Sequence, residues 1–243
     1  METEQDWSDF FAAAVPAGVI FDMEVVDLRV IAQRLENAEH QLDPTAELCF
    51  IGLVAYFEGF CKNHFASLIN IHPELIRNLE AAGRSVALSA ADLLDVDEPI
   101  RTQLGFLVAD QFDFGTPKSI NGLYGALLKR TPFGREDSEM FGQILDDRHL
   151  LVHHGGIFGP RYSGERFIKR EVGRRRLFMD SLLVTSEQVL AAGDFLVGIS
   201  RKLRSSTQDA LRESVKASGR ELRDFEERAI DALGWTFDQD GAG

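Results

Sequence analysis

Three of the chain's six histidines stand within six residues, in Ile144-Leu145-Asp146-Asp147-Arg148-His149-Leu150-Leu151-Val152-His153-His154-Gly155-Gly156. Imidazole titrates nearest to neutral pH among side chains, and guanidinium is a fixed planar cation, so the pair suits acid–base work on an anionic group. An ideal helix turns about 100° per residue. On that wheel Asp146, His149 and His153 share one arc, and Ile144, Leu145, Leu151 and Val152 share the arc expected to face the core. Arg148 projects from the middle of the apolar arc. A buried guanidinium needs a partner. Glu58, the only acid between Leu48 and Ile71, is the predicted one. The alternative is that Arg148 opens into a cleft or a subunit interface.

Four readings fit the cluster. The histidines are solvent-facing helix-end residues, with His153 and His154 beside the negative end of the helix dipole. Or His149 and His153, at i and i+4, hold a metal with Asp146 as third ligand, although Leu150, Leu151 and Val152 supply no catalytic Glu between them. Or a Ser or Cys nucleophile acts, but no GxSxG elbow occurs, and Cys49 and Cys61 fall in an apolar stretch as buried free thiols. Or Arg and His perform phosphoryl transfer without a metal. In that case His moves a proton and Arg stabilises the charge that builds on the phosphoryl group. A P-loop is absent, since Gly155-Gly156 and Gly159 lack its Lys and its strand–loop–helix order.

The elements that must position these residues read as helices. Met23 to Gln41 has helical apolar spacing and ends at Asp43-Pro44. Leu48 to Ile71, closed by Pro73, is apolar nearly all round at its start, as suits the middle of a bundle. Shorter helices follow from Pro73 to Ala82, from Ala90 to Leu94 behind Ser89, from Pro99 to Asp110 and from Ser119 to Lys129. Phe112 to Pro117 is a loop. Arg135 to His154 is the motif helix, stopped by Gly155-Gly156. Phe158 to Lys169 and Leu177 to Val184 read as a hairpin or extended insertion. Thr185-Ser186-Glu187 opens a helix to Ser218, and Arg220 to Leu233 forms the last. Trp7 and Trp235 read as anchors tying the ends to the domain. The expected fold is all-α: one domain over 1–243, with its core at 23–218 and a C-terminal helix and tail at 219–243.

The chain has 243 residues, with 26 Lys and Arg against 39 Asp and Glu, a formal net charge of −13. That balance argues against a protein that coats long nucleic acid, because phosphate neutralisation supplies most nonspecific affinity. One stretch runs the other way. Between Pro160 and Arg176 stand Arg161, Arg166, Lys169, Arg170, Arg174, Arg175 and Arg176 against Glu165 and Glu171, a local net of +5. It suits RNA or an acidic partner protein, and equally a solvated hairpin face. The run Arg201-Lys202-Leu203-Arg204 reads as a solvated helix face. The acidic start and Pro16 do not suit a signal peptide, and no uninterrupted apolar run suits a membrane span. The expectation is a cytoplasmic protein without membrane contact.

Arg148-His149-Leu150-Leu151-Val152-His153 fits R-x4-H at the end of a long helix before Gly-Gly. This resembles the signature of the HEPN superfamily. The stretch Leu48-Cys49-Phe50-Ile51-Gly52-Leu53-Val54-Ala55-Tyr56-Phe57-Glu58-Gly59-Phe60 is similar to the second helix of HEPN proteins of the RiboL-PSP type. Leu182-Leu183-Val184-Thr185-Ser186-Glu187 is similar to the start of their next helix. The resemblance covers about Thr45 to Ile199. It implies an up-and-down bundle that dimerises through the motif helices, and a metal-independent endoribonuclease of toxin–antitoxin or other defence systems, with no cofactor. By that resemblance His153 is the general acid/base and Arg148 the phosphate stabiliser, and the product is a 2′,3′-cyclic phosphate. His149 orients substrate or water, while His154, Asp146 and Glu58 are auxiliary. Some HEPN families have lost catalysis and serve as interaction or nucleotide-sensing modules, which is the rival reading.

Overall fold

The computed structural model describes residues 6–36, 44–88, 100–158 and 181–237. It is all-α. Among the described residues eight α-helices run in the order α1 (Ala17–Glu36), α2 (Pro44–Ile71), α3 (Ile76–Ala81), α4 (Ile100–Ala109), α5 (Pro117–Leu128), α6 (Arg135–His154), α7 (Ser186–Ala217) and α8 (Asp224–Ala232). Short 3-10 turns lie at Trp7–Phe10, Ala12–Ala14 and Pro73–Leu75. No strand occurs among the described residues.

α2 is the hub, as its nearly uniform apolarity requires. α1, α4, α6 and α7 all pack on it, and every residue from His64 to Ile71 is buried. By length and composition alone α2 is long and apolar enough to cross a membrane, a test that the core helix of a helical bundle also passes. Its neighbours clothe it as they would the core helix of a bundle. One apolar cluster runs from Phe10 through α2 to Leu233 and takes in every α-helix.

Boundaries follow local chemistry. α1 begins at Ala17, earlier than the periodicity suggests, because Pro16 precedes the helix rather than breaking it. Its carbonyl accepts from the Val19 and Ile20 amides at 3.0 and 3.3 Å. Thr116 caps α5, its Oγ1 accepting from the Ser119 amide at 3.1 Å. Thr185 and Gln188 form a reciprocal capping box that opens α7. α8 begins only at Asp224, shorter than expected, with Glu226 folded back onto the Arg223 amide at 3.0 Å.

The expected hairpin and the helix at 90–94 lie outside the described residues. What is seen of the insertion is its neck. Ile157 and Ser181 form a lone antiparallel bridge, and the Leu182 amide donates to the Gly156 carbonyl at 2.7 Å. The chain thus leaves α6 and returns to the same point before entering α7.

The first and last described segments meet as expected of tryptophan anchors. Trp7 and Trp235 pack edge to face with ring centres 5.0 Å apart. The expectation of a solvated face at 201–204 fails for Arg204, which is only 1% exposed. Its Nη1 donates to Asp22 Oδ2 at 3.0 Å and to the Trp235 carbonyl at 2.7 Å, and its Nη2 to Asp22 Oδ1 at 3.2 Å. Gly18 makes room for this side chain, since a Cβ there would sit 2.4 Å from Arg204 Cδ. The periodicity missed it because an arginine on a buried arc reads as an exposed one until its partner, 182 residues away, is known.

Candidate functional site

The motif lies on the last two turns of α6. Asp137 accepts from the Gly134 amide at 3.0 Å at the start of this helix, and that bond holds its carboxyl below the usual range. α6 is seated by aromatics. Phe141 packs edge to face on Phe57 of α2, with ring centres 5.3 Å apart, and stacks on Phe133 at 5.2 Å. It stays α-helical through His154, then stops at Gly155 and Gly156, whose φ angles of 56° and 75° lie in the left-handed region that glycine tolerates.

The buried positions of α6 are Phe141, Ile144, Asp147, Leu150 and Leu151. Val152, expected in the core, is 44% exposed, and Asp147 is buried instead at 8%. The reason is the three-residue step from 141 to 150. Each step falls about 60° short of a full turn, so the covered stripe winds around the helix. By position 152 the face that carried Phe141 no longer meets α2.

Arg148 is half-buried. Its Nε is buried and finds no hydrogen-bond acceptor. It lies close enough to Glu58 of α2 for its charge to lower that carboxyl's pKa. Burial acts more strongly the other way, and the net effect holds the Glu58 carboxyl above its ordinary value, with the negative charge of Asp113 adding to the rise. No hydrogen bond or ion pair joins Arg148 to Glu58 among the described residues. The structure therefore brings the expected partners into electrostatic reach without locking them.

Asp113 belongs to the loop that enters α5. Its Oδ1 accepts from the Gly115 amide at 2.9 Å, and its carbonyl accepts from the Ser119 hydroxyl. Sequence reasoning passed over it. Its one signal was an acid between Phe112 and Phe114 in a loop, both of which pack against the core.

His149, His153 and His154 are exposed, as is Asp146. The His149 ring centre lies 4.6 Å from that of His153, with 48° between planes, and 5.7 Å from that of His154. The three imidazoles form one cluster at the end of the helix. Arg148 is not part of it. With α6 regular to His154, positions 148 and 153 project about 140° apart. Arg148 faces toward Glu58, and His153 faces solvent. The arrangement thus offers a fixed cation beside a carboxyl of raised pKa, and separately a group of accessible imidazoles.

Two further expectations are decided in part. No three His, Cys, Asp or Glu side chains among the described residues are grouped to hold a metal, so the three-ligand site of Asp146, His149 and His153 is not formed. The basic residues Arg161, Arg166, Lys169, Arg170, Arg174, Arg175 and Arg176 lie outside the described residues. Comparison with protein-family models, with curated proteins and with solved structures finds no match.

Proposed function

We propose that this protein is a metal-independent endoribonuclease of HEPN type that works as a homodimer in the cytoplasm, as a toxin or defence effector. The observation that carries the reading is Arg148: half-buried, electrostatically paired with Glu58, its buried Nε without an acceptor, and one helical turn from exposed imidazoles. A guanidinium in that state retains its donors for a phosphate. His153 accepts the proton of the 2′-hydroxyl and returns one to the leaving 5′-oxygen, and Arg148 stabilises the charge that builds on phosphorus. His149 orients the nucleotide or water. His154 and Asp146 flank the cluster, and the basic segment at 161–176 guides RNA to it.

The divergence of Arg148 and His153 within one chain favours a composite site, in which the Arg of one protomer meets the His of the other. Val152, exposed between them, suits such a seam. The test is cleavage of RNA by purified protein in EDTA, with the 3′ ends of the products analysed. The reading expects 2′,3′-cyclic phosphates and their loss in Arg148→Ala and in His153→Ala. Cleavage that survives both substitutions would remove these residues from catalysis.

A noncatalytic interaction module, binding a partner such as an antitoxin, is the second reading. It rests on exposed apolar side chains of α1 and α2: Met23, Val30, Ile31, Leu48 and Tyr56. Intact RNA together with a stable stoichiometric partner complex would favour it.

A further inference from the structure

The distance between two histidine rings carries more than the nuclease reading uses. An imidazole nitrogen binds zinc at about 2.1 Å, so the ring centre, about 1.1 Å further back, stands about 3.2 Å from the ion. Two rings aimed at one ion with an angle of about 90° between them then have centres about 4.5 Å apart, and about 5.2 Å apart at a tetrahedral angle. His149 and His153 have ring centres 4.6 Å apart. They stand at i and i+4 on one arc of a regular helix, both exposed, so an ion reaches them without displacing other side chains.

Their place strengthens the case. They lie in the last two turns of α6, where the helix dipole puts partial negative charge and favours a cation. The chain as a whole carries −13. With no group of three His, Cys, Asp or Glu donors among the described residues, the site is a two-imidazole chelate, with water filling the remaining positions. Two neutral nitrogens select borderline cations in the order copper above nickel and zinc. Magnesium and calcium, which take oxygen ligands, are rejected.

We infer that His149 and His153 form a chelating site for a divalent copper, nickel or zinc ion, and that its occupation switches the proposed nuclease off. The second half rests on the nuclease reading. The ion takes the lone pair with which His153 accepts the 2′-hydroxyl proton, and it holds His149 away from substrate. Nothing is oxidised or reduced. A metal–nitrogen bond replaces a nitrogen–water contact on each ring.

The experiment is a titration of the full-length protein with Cu(II), followed by electron paramagnetic resonance and calorimetry. The expected result is one ion per chain with a two-nitrogen signature, displaced by excess zinc. His149→Gln and His153→Gln should each weaken binding at least as much as losing a supporting outer-shell partner does, roughly tenfold or more. His154→Gln should leave the signature in place. Copper bound equally by the two Gln variants, or no copper bound at all, overturns the site. In the same preparation, zinc should stop RNA cleavage and a chelator should restore it. Zinc bound at the pair with cleavage undiminished overturns the switch alone. Protein that cleaves no RNA in any state overturns the switch and the nuclease reading together, and the copper signature still decides the site.

Discussion

Two of the arginine–histidine constellations among the described residues are built in opposite ways. In the core, Arg204 has four hydrogen bonds from its terminal nitrogens, to both Asp22 oxygens, the Trp235 carbonyl and Ser200 Oγ. His64 stands nearby, with Nε2 2.8 Å from Thr207 Oγ1. The Thr207 hydroxyl also donates to the Leu203 carbonyl at 2.7 Å. Burial and the Arg204 charge push the His64 pKa down to about 3. At the end of α6 the same residue types lie at or near the surface. Arg148 has a carboxyl in electrostatic reach and a buried Nε without an acceptor, and its histidines are exposed. The first constellation ties α1, α7 and the chain's end together. The second sets a half-buried guanidinium and exposed imidazoles where something outside the chain can reach them. A polar group satisfied inside the fold is structural, and one held ready at the surface of a rigid helix is suited to a ligand.

The largest predicted effect concerns activity at the second constellation. Arg148→Ala and His153→Ala should each lower RNA cleavage by about 100- to 10,000-fold, as the loss of a positioned acid–base group does. Neither should shift the denaturation midpoint by more than a surface change would. A substantial loss of stability in either variant would erase the distinction between the two regions.

The first constellation should respond in the opposite sense. Asp22→Ala strands the Arg204 charge in the core and should cost about 3–5 kcal/mol of stability, as broken buried pairs do. Urea denaturation of this variant beside Arg148→Ala measures the contrast directly.

A smaller effect follows from His64. Its folded-state pKa of about 3 lies below its ordinary value of 6.5, so the unfolded chain binds the proton more readily. The contribution of neutral His64 is fully present above pH 6.5 and is lost as pH falls from there toward 3. Stability measured against pH should show this acid limb in the wild type and in His153→Ala, and a flatter one in His64→Gln.

The smallest effect tests the electrostatics around Arg148. Asp113→Asn removes a negative charge that raises the Glu58 pKa, so the Glu58 carboxyl should titrate at lower pH. Carbon-detected NMR of that carboxyl reads the shift, and an unmoved titration would place Asp113 outside its field.

Helices were the most legible part of the sequence. α6 and its Gly155-Gly156 stop, the Thr185 cap of α7 and the apolar hub α2 follow from periodicity and capping chemistry alone, because both act within a few residues. Glu58 was legible as a lone acid in an apolar helix. What escaped were consequences of long-range packing. The rotation of α6 depends on Phe141 finding Phe57 across 84 positions of sequence, which no local pattern encodes. The burial of Arg204 depends on Asp22 and on the last turn of the chain. The early start of α1 depends on reading Pro16 as an opening residue rather than a breaker.

Whether the surface constellation is completed by a second chain is tested most directly by mixing the two inactive variants. Arg148→Ala and His153→Ala proteins are unfolded together, refolded to allow mixed dimers, and assayed for RNA cleavage in EDTA. If the Arg of one protomer serves the His of the other, each mixed dimer of a two-fold assembly contains one intact site. With half the dimers mixed, activity should return to about a quarter of wild type. Activity no higher than that of either parent would contradict the composite site proposed for Arg148 and His153.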